Sequence, residues 1–140
     1  MSTLSGGVRY GMTVNSLTSV SLRPLLVLFC CEHDASLHEP VLESEHWGVS
    51  VLGVGQQDVA AWFATRGARG VDQFAGQGAA PGPLTGAPLL DHALAWLECR
   101  TWATYDGGDH TIIVGEVLAV EQGSDTDPLL YYRSDYRTTR

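Results

Sequence analysis

The chain contains no lysine at all. Every one of its cations is an arginine, and its 8 basic residues face 16 acidic ones, for a net charge of −8. A phosphate backbone is held by clustered Lys and Arg, so this balance excludes nucleic acid as a partner. Cysteine is scarce: Cys30, Cys31 and Cys99 make an odd number without metal-ligand spacing, and the adjacent pair would point to opposite faces of a strand. They read as buried free thiols, which pack as small apolar residues. No apolar run comes near the ~20 residues of a membrane helix, and no basic-then-apolar leader opens the chain. A cytoplasmic protein without membrane contact is expected. Gly-x-Gly-x-x-Gly and Walker patterns are also missing, which removes Rossmann and P-loop sites. His33, His38 and His46 are spaced too loosely for a metal site, so none is expected.

What is present is enough for one domain with one core: 140 residues, 44% of them hydrophobic. Residues 11 to 22 alternate apolar side chains with Thr13, Asn15, Ser16, Thr18, Ser19 and Ser21, and then run through Pro24 into the solid apolar stretch Leu25–Cys31. Period-two alternation reads as a strand, and an unbroken apolar run as a strand buried on both faces. The hydroxyl and amide row suits a flat ligand with polar edges. Trp47–Leu52 reads as a further strand. Val59, Ala60, Trp62 and Phe63 recur at helical spacing over Gln56–Thr65. Residues 66–90 hold many Gly and Pro and read as a long functional loop. Leu89–Tyr105 and Thr111–Glu121 read as strands joined by the turn Asp106-Gly107-Gly108-Asp109, with Glu98 and Arg100 paired on one face. Leu129–Tyr132 makes a last strand. An antiparallel barrel follows, since closure removes exposed edges.

Several segments together resemble the flavin reductase-like family, the FMN-binding split barrels that serve two-component flavin monooxygenases. They are Gly11-Met-Thr-Val-Asn-Ser16 through Ser19-Val-Ser-Leu22, Pro24–Cys31, Phe63-Ala64, Ala93–Cys99, Gly108-Asp-His-Thr-Ile-Ile-Val-Gly-Glu-Val117 and Asp127-Pro-Leu-Leu-Tyr-Tyr132. The resemblance implies one mainly β domain over residues 1–140: an antiparallel six-stranded split β-barrel with Greek-key character and one or two short helices. It implies an NAD(P)H:flavin oxidoreductase that takes FMN or FAD, uses NADH or NADPH, and supplies reduced flavin to a partner monooxygenase as a homodimer. The alternative is a catalytically degenerate split barrel that only binds flavin or a protein.

By position, Thr13, Val14, Asn15, Ser16 and Leu17 would border the isoalloxazine, with Ser19 and Val20 along the ribityl side. Asp34, Ala35 and Ser36 would meet the flavin phosphate, and Arg66 or Arg69 the cofactor tail. Gly108, Asp109 and His110, with Tyr132 and Arg133, would hold the nicotinamide dinucleotide, His110 being the catalytic candidate. Three differences from the family pattern stand out. Gly6-Gly7 reads as the hairpin turn after a first strand that the chain lacks, as it lacks the first helix, leaving an open edge near Arg9–Val14. Segment 34–37 carries Asp34, near Glu32, instead of a basic residue. Gln73 stands where a lysine is common. Weak flavin affinity is the expectation.

Overall fold

A computed structural model describes residues 1–139. The elements run β1 Ser2–Ser5, β2 Val8–Gly11, β3 Thr18–Leu22, β4 Leu25–Glu32, α1 His38–Ser44, β5 His46–Val51, a 3-10 turn Val54–Gln56, α2 Gln57–Ala64, β6 Ala79–Pro81, β7 Pro88–Leu90, β8 Ala95–Gly107, β9 His110–Gln122, β10 Leu130–Tyr132 and β11 Asp135–Arg137. Seven strands form one antiparallel sheet in the order β2-β1-β5-β8-β9-β4-β3, and β6-β7 and β10-β11 are separate hairpins.

The sheet therefore has seven strands rather than six, and β2 and β3 are not hydrogen-bonded to close it. The extra strand is β1. Ser2–Ser5 pairs with Val8–Gly11 across the Gly6-Gly7 turn, so a strand does precede that turn. Both turn glycines have positive φ, 57° and 77°, where a Cβ is strained. The sheet still curls strongly. Tyr10 of the edge strand β2 shares one core with Phe29 and Cys31 of β4, Trp47 and Val49 of β5, Cys99 of β8 and Ile113 of β9. Two register shifts along β8, at Glu98/Cys99 and Thr101/Ala103, help produce that curvature, because a bulge bends and twists its strand.

The first shift also overturns the expected Glu98–Arg100 pair. Glu98 turns inward and its Oε1 accepts from the backbone N–H groups of Leu84 and Thr85 and the Thr85 hydroxyl, at 3.0, 2.9 and 2.8 Å. Arg100 pairs with Glu116 instead, at 2.7 Å.

The other corrections are local. The strand expected over residues 11–22 breaks after Gly11 and resumes at Thr18. The 66–90 loop contains the β6-β7 hairpin. α2 forms where expected and buries Ala60 and Phe63, the latter packed on Phe74 with ring centroids 4.6 Å apart. α1 has only seven residues; Pro40 sits in its first turn, where a missing N–H costs nothing. No described helix is long and apolar enough to cross a membrane.

Candidate functional site

The carboxyl end of β4 is where the chain's polar segments meet. The ribbon 12–17 approaches it from β2. The Thr13 amide donates to the Phe63 carbonyl at 3.0 Å, and its hydroxyl to the Ala60 carbonyl at 2.7 Å. The Ser16 hydroxyl accepts from the Cys30 amide at 3.0 Å. The ribbon is thus strung between α2 and β4 by its own side chains, which explains why it leaves the sheet. Val14 and Leu17 pack toward the core, while Asn15 is exposed.

From the opposite side comes the β8-β9 hairpin. His110 pairs in register with Glu32, the last residue of β4. The next amide, His33, donates to the Asp109 carbonyl at 2.9 Å. Gly108 has φ of 79°, as the two-residue turn requires. His110 Nδ1 and Asp109 Oδ1 lie 2.6 Å apart, and this bond holds the Asp109 carboxyl below its usual range. With Nδ1 so engaged, Nε2 is the ring atom left for a ligand. Behind the hairpin, His38 Nε2 meets the Thr111 hydroxyl at 2.7 Å, and burial, with His33 beside it, lowers the His38 pKa.

The third side is the 32–36 turn and the loop facing it. Arg66 lies 3.6 Å from Glu32, with 71% of its side chain exposed. Ser36 accepts a hydrogen bond from Gln73 Nε2 at 3.1 Å, and Gln73 Oε1 accepts from the Gly11 amide at 2.8 Å. Gly67 lies directly over Gln73: a Cβ there would land on Gln73 Nε2, 3.0 Å from the Ser36 hydroxyl.

Thr13–Leu17, Asp34–Ser36, Arg66 and Gly108–His110 therefore gather around one strand end. The remaining candidates sit apart from it. Both terminal guanidinium nitrogens of Arg69, Nη1 and Nη2, are engaged by Glu39 and Glu43 of α1. Ser19 and Val20 are exposed further along β3, Ser19 opposite Val27. Tyr132 and Arg133 lie on the β10-β11 hairpin, the guanidinium 5.4 Å above the Tyr132 ring. That hairpin contributes Tyr131 and Tyr136 to a cavity of about 220 Å³, whose other walls include Met12, Val14, Leu17 and Phe63.

Sequence reasoning had flagged Glu32 and Gln73 only as departures from the family pattern and had not singled out His33 or Gly67 as site residues. A glutamine in a Gly-rich loop gives no periodic signal, so its partners Gly11 and Ser36 were not legible. No cluster of His, Cys, Asp and Glu among the described residues could hold a metal.

These groups suit a flat, heteroatom-edged ring with an anionic tail. The ribbon supplies a polar rim. Ser36 and Arg66 supply donors. A flavin is such a molecule, so the residues present fit it. The molecule is thus a small, curled β-sheet protein whose polar segments gather at one strand end, outside the Rossmann and P-loop designs.

The whole chain, residues 1–140, matches the model of the flavin reductase like domain. It is 41% identical over 136 residues to an NADH-dependent FAD reductase of Streptomyces globisporus, covering 96% of this chain and 75% of that protein. Among solved structures it is similar to BorF, the flavin reductase component of a bacterial two-component tryptophan halogenase. That match has a TM-score of 0.90 and 46% identity over 98% of this chain and 86% of that one. It is also similar to the Streptomyces globisporus C-1027 NADH:FAD oxidoreductase SgcE6 in complex with NAD and FAD fragments. There the TM-score is 0.90 and the identity 40%, over 97% of this chain and 81% of that one. The chain belongs to the flavin reductase like family.

Proposed function

We propose that the protein is an NAD(P)H:flavin oxidoreductase that reduces FMN or FAD and releases the product to a separate flavin-dependent monooxygenase. The observation that carries this reading is the meeting of the 13–17 ribbon, the 32–36 turn and the Gly108–His110 hairpin at one strand end, in a chain of this family. A flavin held there would supply the redox chemistry, taking up the hydride given by NAD(P)H, so that the nicotinamide would be oxidised as the flavin is reduced.

The protein's part is orientation. The ribbon, fixed at Thr13 and Ser16, borders one face of the ring site, with Ser19 and Val20 continuing outward along β3. The hairpin presents His110 Nε2 to the carboxamide side. Stacking the two rings at near-attack distance, roughly 3–3.5 Å, is the main requirement. Asp34, Ala35, Ser36 and Arg66 face the phosphate end, while Arg69 reaches it only by giving up Glu39 and Glu43. Tyr132 and Arg133 serve the dinucleotide by closing over it from the β10-β11 hairpin. The exposed acids near the phosphate end favour exchange of flavin over retention.

The curled sheet is read as the family's split barrel, forming a single domain. Val20, Leu22, Trp102 and Val120 are each about half exposed or more, at 48%, 83%, 54% and 62%. We take these exposed apolar side chains to lie in the homodimer contact of a cytoplasmic protein, which light scattering tests directly. The activity test is anaerobic mixing of NADH or NADPH with FMN or FAD and catalytic amounts of folded protein. Bleaching of the flavin absorbance above the uncatalysed rate is expected; no acceleration with any of the four pairs refutes the proposal.

A further inference from the structure

Gln73 is 9% exposed, and its side-chain amide is spent on Gly11 and Ser36. A side-chain amide can be turned either way, and its orientation is normally inferred from its partners. Here one partner decides it. The Gly11 backbone N–H can only donate, so the atom facing it at 2.8 Å is the Gln73 oxygen. The NH₂ group must then face Ser36, 3.1 Å away. A hydroxyl has one donor and two acceptor sites. With one acceptor site filled by the amide, the Ser36 proton is left free to point elsewhere. No acceptor among the described residues takes it.

We infer that Gln73 is a positioning residue for anion binding: it presets Ser36 as a hydrogen-bond donor toward the phosphate of a flavin nucleotide. This rests on the flavin reading above, and it goes further by assigning the neutral Gln73 a task that charge performs elsewhere. Three features support it together. The amide orientation is dictated by a backbone N–H. Gly67 has no Cβ, and any Cβ would displace the Gln73 amide. Arg66, next in the chain, lies with its charge only loosely taken, 3.6 Å from Glu32. Donor preorganisation matters because an already oriented hydroxyl loses nothing when the anion arrives.

The test compares FMN with riboflavin, which share the ring and differ in the phosphate. Dissociation constants come from quenching of flavin fluorescence, and each variant is checked by thermal melting. Ser36→Ala should weaken FMN about tenfold, the scale of one charge-assisted hydrogen bond, and leave riboflavin unchanged. Gln73→Glu keeps an acceptor for Gly11 but offers Ser36 a second acceptor, which draws the hydroxyl proton inward. It should weaken FMN by a similar factor, again sparing riboflavin. In the Ser36→Ala background, Gln73→Glu should add little. A full additional loss there means that charge repulsion, not hydroxyl orientation, is at work, and overturns the proposal. So does an FMN-to-riboflavin ratio unchanged in a Ser36→Ala protein that thermal melting shows to be folded. Equal loss of both ligands in Gln73→Glu marks a merely structural residue and overturns it as well. Failure of the wild-type protein to bind either flavin refutes the function itself, a different outcome from any of these.

Discussion

Gly115→Ala is expected to be among the most damaging single-methyl additions in this protein. Gly115 lies mid-strand in β9, opposite Val27 of β4 and Thr101 of β8. A Cβ there would fall on the Trp47 ring, at Cζ2, with Cη2 2.8 Å and Cε2 3.0 Å away. Trp47 cannot step aside. It is 0% exposed, its Nε1 donates to the Thr101 hydroxyl at 3.1 Å, and its edge meets Phe29 with centroids 4.9 Å apart at 68°. Overpacking a full core costs roughly 1–3 kcal/mol. If the ring tilts far enough to lose Thr101, a buried indole N–H without a partner adds about 1–3 kcal/mol. With both terms the total is about 2–6 kcal/mol. At roughly 3 °C per kcal/mol for a chain of this size, that is a fall in Tm of about 6–18 °C. Urea unfolding followed by tryptophan fluorescence gives the free energy; thermal melting gives the shift. Trp47→Phe removes the ring edge that the new methyl strikes, so the double variant should be less destabilised than the sum of the two singles, by about 1 kcal/mol or more. A Gly115→Ala protein that melts like the wild type, or singles that simply add, would refute the idea of a rigid contact.

His110→Ala should raise the apparent KM for NADH about five- to tenfold, the worth of one lost hydrogen bond, and leave FMN binding near wild type; equal loss of both contradicts the nicotinamide-side role. Burial pushes the Cys31 and Cys99 thiols to about 12, so neither should react with iodoacetamide at pH 8 before unfolding, and mass spectrometry of the labelled native protein should find only the half-buried Cys30 modified. The His38 pKa is held below its unfolded value by burial and by His33. A His whose folded pKa is depressed favours the folded state while neutral. Its contribution is therefore complete above the unfolded pKa of about 6.5 and lost as pH falls below it. Urea midpoints should decline from pH 7.5 to 5.5, and His38→Gln should flatten that decline; a wild-type profile flat over this range would count against the assignment.

The strongest elements were legible because their patterns have one physical reading. Leu25–Cys31 is an unbroken apolar run and Thr111–Glu121 alternates with period two, both patterns of a strand, which form as β4 and β9, and α2 shows its apolar face at helical spacing. The failures have causes equally specific. Residues 12–17 alternate like a strand, but Thr13 and Ser16 give the backbone side-chain and loop partners that compete with a ladder. β1 reads as a polar tetrapeptide, yet Ser2 and Thr3 are 4% and 0% exposed, with hydroxyls donating to the Pro88 and His46 carbonyls at 2.5 and 2.6 Å. Buried hydroxyls satisfied by distant carbonyls leave no local trace. α1 is too short for periodicity. In the candidate site, the ribbon and the Gly-Asp-His turn were visible as motifs and Gln73 and Glu32 as departures from the family pattern, whereas the partners of those two appear only in contacts that link remote parts of the chain.

The edge expected to lie open near Arg9–Val14 ties the fold to the site. β2 does end the sheet, and an unpaired edge invites association. The chain covers it internally. The Gln73 amide donates to the Arg9 carbonyl at 3.1 Å, the Gly11 amide reaches the Gln73 side chain at 2.8 Å, and the Arg9 guanidinium grips Asp72 at 2.7 and 3.1 Å. Asp72 and Gln73 thus stand in for an eighth strand with one backbone bond and side chains. The same glutamine then extends its amide to Ser36. Covering the edge and orienting the donor are consequently one arrangement, and the 66–73 loop cannot peel away from β2 without releasing Ser36. Weakening the Arg9–Asp72 clamp, though it lies partly exposed and contributes little stability by itself, should therefore loosen phosphate recognition from a distance while leaving the ring site in place.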